Sequence, residues 1–121
     1  VRFVNLQYGD CAADLATVRQ RLGIEILHDD AIDPLSDMDG FAAQVAAMDL
    51  VVSIDNSTVH LAGALGKPTW VLLPYVPDWR WLLDRDDSPW YGSVKLYRQC
   101  EDRNWEPVLQ RVAQDMVNLT Q

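Results

Sequence analysis

Asp55, Asn56, Ser57 and His60 are four polar side chains within six positions, and they stand between an apolar run and a short segment of small residues. Those residue types suit an anionic ligand. Leu50-Val51-Val52-Ser53-Ile54 reads as a buried parallel strand covered on both faces, and Thr58 begins the helix that follows. Either Ser57 or Asn56 can cap that helix, which leaves first-turn N–H groups and the positive end of the helix dipole facing the crevice beyond the strand. A phosphate would be held well there. His60 falls about one turn from Asp55, where it has two compatible roles. It can brace the turn through Asp55 or Ser57, or donate to a phosphate as a neutral imidazole, since a helix N-terminus disfavours imidazolium.

The elements that must position this turn follow from periodicity and punctuation. Residues 1–6 read as a strand, 7–10 as a turn, and about 10–22 as a helix closed by Gly23. Ile24-Glu25-Ile26-Leu27 is a short second strand, followed by an acidic loop with Pro34. Asp39 is expected to cap a helix from Phe41 to Met48, the strand at 49–54 comes next, and the helix at 58–65 is ended by Gly66 and Pro68. Pro68 to Leu73 is another buried strand, Val94 to Arg98 an edge strand, and about 104–118 the last helix. Strands alternating with helices predict one Rossmann-like α/β domain over 1–121, three layers deep. Its parallel sheet should have about five strands in the order 2-1-3-4-5. Turns 7–10, 55–58 and 74–80 leave from carboxyl ends and should converge on one crevice.

Composition removes several alternatives. With 121 residues and a net charge of −8, the chain has a core to bury and lacks the clustered cations that nucleic acid or an anionic membrane surface requires. No apolar run has the length of a membrane span and no basic-then-apolar leader opens the chain, which reads as cytoplasmic. Cys11 and Cys100, with His28 and His60, have no metal or disulfide spacing. Val1 falls almost inside a strand, as expected of a domain excised from a longer chain.

The known phosphate fingerprints are missing. No GxGxxG follows the first strand, and Gly63-Ala64-Leu65-Gly66-Lys67 carries its glycines at a helix carboxyl end, with Pro68 where a P-loop has Ser or Thr. Asp37-Met38-Asp39 matches the metal-holding DxD pattern, but its place before a helix favours capping. Asp84, Asp86 and Asp87 read as a solvated surface paired with arginine. Small Ala62, Gly63 and Ala64 should let their helix lie close to the sheet. Segment 74–93 is long for a connection and holds Tyr75, Trp79, Trp81, Trp90 and Tyr91 with Arg80 and Arg85. It can stack on a base or sugar and place Arg80 on a diphosphate, while most of its tryptophans are expected to staple the loop to the sheet.

Leu6-Gln7, the run from Asp55 to Pro68, Pro77-Asp78-Trp79-Arg80-Trp81-Leu82 and Ser88-Pro89-Trp90-Tyr91 together resemble the C-terminal domain of GT-B glycosyltransferases. The likeness is to the heptosyltransferase-like (glycosyltransferase family 9) enzymes and to bacterial relatives linked to tetratricopeptide repeats. The resemblance covers nearly the whole chain. It implies a domain that binds a nucleotide-diphosphate sugar without metal or cofactor. Its site would draw on Gln7, Asp55, Asn56, Ser57, His60, Asp78, Trp79 and Arg80. It also implies an N-terminal GT-B domain of the same chain that supplies the general base, so that this part alone is inactive, and tetratricopeptide repeats upstream. Asn56 replaces the family's usual Thr and can still cap; Tyr8 replaces a Lys common in repeat-linked relatives and removes a cation. The alternative is a degenerate domain of this fold that serves as a non-catalytic scaffold or interaction module.

Overall fold

The computed structural model describes residues 1–121. Four α-helices and five parallel strands form two compact units, Val1–Gln44 and Val45–Gln121. The strands pair in parallel as β1-β2 and as β3-β4-β5.

In the first unit, β1 (Phe3–Val4) pairs with β2 (Ile26–Leu27), and the Asn5 N–H extends the pairing to the Leu27 carbonyl at 2.8 Å. Both strands are shorter than their apolar runs. Between them lies α1 (Ala12–Leu22), which ends at Gly23 in the left-handed conformation, φ 66°. The acidic loop is built by its own carboxylates. Asp29 accepts the Ala31 N–H, and Asp33 accepts the Leu35 N–H and the Ser36 hydroxyl, bonds that hold the Asp33 carboxyl below its ordinary range. Asp37, not Asp39, caps α2 (Met38–Ala46): it accepts the Gly40 N–H at 2.9 Å, the reach of an N-cap to the third helical residue. Asp39 instead adds its charge within the first turn.

The second unit holds β3 (Val51–Ile54), α3 (Ser57–Ala64), β4 (Thr69–Leu73), β5 (Val94–Arg98) and α4 (Glu106–Thr120). β4 is central and buried throughout, whereas β3 lies at the sheet's edge with Val52 39% and Ile54 58% exposed. The expectation that β3 is covered on both faces is therefore corrected; its apolar run belongs to a strand with one buried face. Side chains alternate across the sheet. Val71, Leu73, Val94 and Leu96 pack with Val59 of α3 and with Trp81, while Trp70, Leu72 and Tyr97 pack with Val108 and Val112 of α4. Fully burying an aliphatic side chain contributes about 1.5–3 kcal/mol, so these two clusters carry this unit's stability. α3 stops where punctuation predicts. Gly66 turns left-handed at φ 70°, and the Gly66 and Lys67 N–H groups fold back onto the Gly63 and Ala62 carbonyls.

Candidate functional site

Asn56 leaves β3 in extended conformation and closes the start of α3. Its Oδ1 accepts the Thr58 N–H at 3.1 Å and the Ser53 hydroxyl at 3.3 Å, so of the two candidate caps it is the one used. The other first-turn donors remain those that every helix N-terminus leaves without an intrahelical partner. Val59 is fully buried under this turn, which fixes α3 to the sheet and gives His60 its direction.

His60 is held on three sides. Its ring stacks on Trp81 at 5.3 Å, Nδ1 lies 3.0 Å from the Tyr91 hydroxyl, and Nε2 lies 4.0 Å from Asp55 Oδ1. The brace is thus chiefly Tyr91 and Trp81, with Asp55 second and Ser57 uninvolved. Ser88 Oγ fixes Tyr91 by accepting the Trp90 and Tyr91 N–H groups at 3.1 and 3.2 Å. Gly63 explains how Tyr91 reaches the histidine: a Cβ there would fall 2.5 Å from the Tyr91 ring. At Gly63 the small residue makes room for the Tyr91 ring.

The Trp-rich segment brings its own groups to the same place. Asp78 caps the single 3-10 turn Trp79–Trp81, and its Oδ1 accepts both the backbone N–H and the Nη1 of Arg80, at 3.0 and 2.9 Å. Those bonds, with the charges of Arg80 and His60, hold the Asp78 carboxyl below its ordinary range. Arg80 lies 4.7 Å over the Trp79 ring, and the Trp90 indole donates to the Arg80 carbonyl at 2.8 Å. Of the segment's three tryptophans only Trp81 is a staple. Trp79 and Trp90 stand 68% and 58% exposed. What pins the segment is Arg98, whose guanidinium donates to the carbonyls of Trp81, Leu82 and Arg85. Burial lowers the pKa of this arginine, a sign of how far its charge is drawn under the loop. Leu82 and Asp84 take positive φ, 55° and 56°, and the Arg98 clamp holds that strain. Asp87 pairs with Arg85 at 2.7 Å, as expected of a solvated surface.

Asp55, Asn56, Ser57, His60, Asp78, Trp79 and Arg80 therefore belong to one side of the second unit, joined through His60, Trp81 and the Asp78–Arg80 pair. Gln7 belongs to the first unit, where its N–H donates to Asn5 Oδ1 at 3.0 Å. That unit has a cavity of about 490 Å³ lined by Asp10, Glu25 and Asp30 with Arg19 as its one lasting cation, a charge balance unsuited to a phosphate. No three His, Cys, Asp or Glu side chains cluster to hold a metal ion. Sequence reasoning omitted Tyr91, Trp81 and Arg98 from the site; the signal for the first was its place in Ser88-Pro89-Trp90-Tyr91.

The fold and this side of it define an α/β domain with parallel strands and a polar strand–turn–helix site. Among curated proteins the chain is similar to Protein FlbA of Caulobacter vibrioides, 42% identical over 113 residues that make up 93% of this chain and 19% of that protein. The chain thus spans about a fifth of the length of the relative it matches. No family profile and no solved structure matches it. No helix is long and apolar enough to cross a membrane.

Proposed function

We propose that the chain is the donor-binding domain of a metal-independent inverting GT-B glycosyltransferase and takes a nucleotide-diphosphate sugar. One observation carries the reading: the capped N-terminus of α3, with His60 fixed at its first turn, adjoins the loop that bears Arg80. Helix N–H groups, the His60 ring and Arg80 are donors for a diphosphate, and exposed Trp79 offers a face for a base or sugar. As the anomeric bond to the leaving diphosphate breaks and an acceptor hydroxyl attacks, negative charge grows on that leaving group. Donors already in place stabilise it without reorganisation. Asp55, a carboxylate, serves sugar hydroxyls rather than phosphate. The reading includes a Rossmann-like sheet in the order 2-1-3-4-5, supported by the β1-β2 and β3-β4-β5 pairings. It also includes a cytoplasmic full-length enzyme whose N-terminal GT-B domain provides the general base, with tetratricopeptide repeats upstream.

Titrating the isotope-labelled chain with UDP, ADP and GDP, and with their sugars, should shift amides centred on residues 55–60 and 78–81. Silence at those residues with every ligand overturns the reading. One observation favours a second one, a non-catalytic scaffold of the same fold: Arg80 is already paired with Asp78, in a chain of net charge −8. Displacement of Arg80 from Asp78 by a nucleotide diphosphate would exclude it.

A further inference from the structure

The three tryptophans of segment 74–93 are used differently. Trp81 is buried and stacks on His60, and Trp79 carries the Arg80 guanidinium over its ring at 4.7 Å. Trp90 has neither kind of partner, and it is 58% exposed. It is nevertheless fixed at both ends: Ser88 Oγ accepts its backbone N–H at 3.1 Å, and its indole donates to the Arg80 carbonyl at 2.8 Å. An indole N–H bond lies in the plane of the ring, so it occupies an edge and leaves the π surface open. Holding a large apolar face in water costs free energy, and holding it in one orientation removes freedom that a ligand would otherwise have to freeze.

We infer that Trp90 is the residue on which the base of the nucleotide sugar stacks, an inference that rests on the donor-site reading above. Its place follows from its neighbours. Arg80, whose carbonyl it holds, and His60, which the adjacent Tyr91 reaches at 3.0 Å, are diphosphate donors in that reading. Trp90 thus stands beside the groups that hold the diphosphate, where either the nucleoside or the sugar must continue. The base is the better match. Its flat face asks only for a ring, whereas a sugar brings hydroxyls. The polar atoms beside Trp90 are already engaged, Ser88 Oγ by the N–H groups of Trp90 and Tyr91, and the Arg80 carbonyl by the indole. Every base has a π face, so Trp90 contributes affinity and leaves the choice of base to other contacts.

Trp90→Leu keeps an apolar side chain and removes the π face, and Trp90→Phe restores a smaller one. For whichever of UDP, ADP or GDP binds the parent, Trp90→Leu should bind about five- to 150-fold more weakly, the range of one base–aromatic stack, with Trp90→Phe between the two. Proton spectra of the bound nucleotide tell stacking from a mere brace on Arg80. On binding to the parent the base protons should move upfield in the ring current of the indole, and Trp90→Leu should abolish that shift. Equal affinity in parent and Trp90→Leu overturns the inference. So does weaker binding with the same base-proton shifts in both, which would show that Trp90 only steadies Arg80. In either case the donor-site reading stands as long as amides at residues 55–60 and 78–81 respond to the nucleotide. If no nucleotide binds the parent, the donor-site reading and the stacking role fall together.

Discussion

Replacing Gly63 by alanine separates two uses of a small residue. In a helix interior alanine is favoured over glycine by about 0.8–1 kcal/mol, so if Gly63 merely saved space the variant would be more stable than the parent. The structure predicts the opposite. A Cβ at Gly63 meets Cγ, Cδ1 and Cδ2 of Tyr91 at 2.5, 2.8 and 2.8 Å, whereas carbon atoms at rest lie about 3.5–4.0 Å apart. Overpacking costs about 1–3 kcal/mol, and the ring has little room to retreat because Ser88 holds its backbone and His60 its hydroxyl. Taking the upper part of that range and subtracting the propensity gain leaves a net loss of about 1–2 kcal/mol. At about 3–5 °C per kcal/mol for a domain of this size, the unfolding midpoint should fall by about 3–10 °C. Tryptophan fluorescence is the assay of choice, since Trp70, Trp79, Trp81, Trp90 and Trp105 all lie in the Val45–Gln121 unit. With Tyr91→Ala as background the obstacle is gone, and Gly63→Ala should become neutral or stabilising. A variant as stable as the parent, or an equal loss in both backgrounds, would refute the Gly63–Tyr91 contact.

On the opposite face of the sheet, Lys95 and the Tyr97 hydroxyl donate to Asp115 at 2.6 and 2.7 Å and hold its carboxyl below the ordinary 3.8. A depressed carboxylate adds stability that is complete above the unfolded value and is lost as pH falls through the folded one, so Asp115→Asn should flatten the acid limb of urea midpoint against pH below about pH 4; a limb like the parent's would contradict this. Arg98→Lys keeps the charge but loses the fork that reaches the carbonyls of Trp81, Leu82 and Arg85, and amide exchange across residues 81–87 should accelerate while β4 stays protected; uniform protection would show that the strained loop holds itself.

Much of the fold is legible because its signals are local. Gly23 and Gly66 end their helices where left-handed backbone is needed, and the Asn56 cap and the Gly66–Pro68 stop frame α3 to within a residue of its expected ends. Periodicity misleads at β3, where Leu50 to Ile54 has the composition of a strand buried on both faces although Val52 and Ile54 are exposed. Composition reports that a strand is apolar, and only its neighbours decide how many faces are covered. The Asp37-Met38-Asp39 triplet shows the same limit at shorter range. Two carboxylates compete for one cap, and the winner is the one whose Oδ1 reaches the N–H three residues on.

The site divides along the same line. Asp55, Asn56 and His60 fall within six positions of sequence, and hydrogen-bonding chemistry alone singles them out. The His60–Tyr91 contact joins positions 31 residues apart, and no local rule connects them. Its trace in the sequence is the pair of small and aromatic residues, Gly63 and Tyr91, each with an ordinary explanation when read alone: a helix lying close to a sheet, and an aromatic ring in a long loop. Together they have a narrower one, because a ring can bring its hydroxyl to the first turn of α3 only where the next turn has no Cβ to stop it. A glycine inside a short helix, opposite an aromatic-rich connection that leaves the neighbouring strand, is therefore the feature that ties the polar turn to the loop.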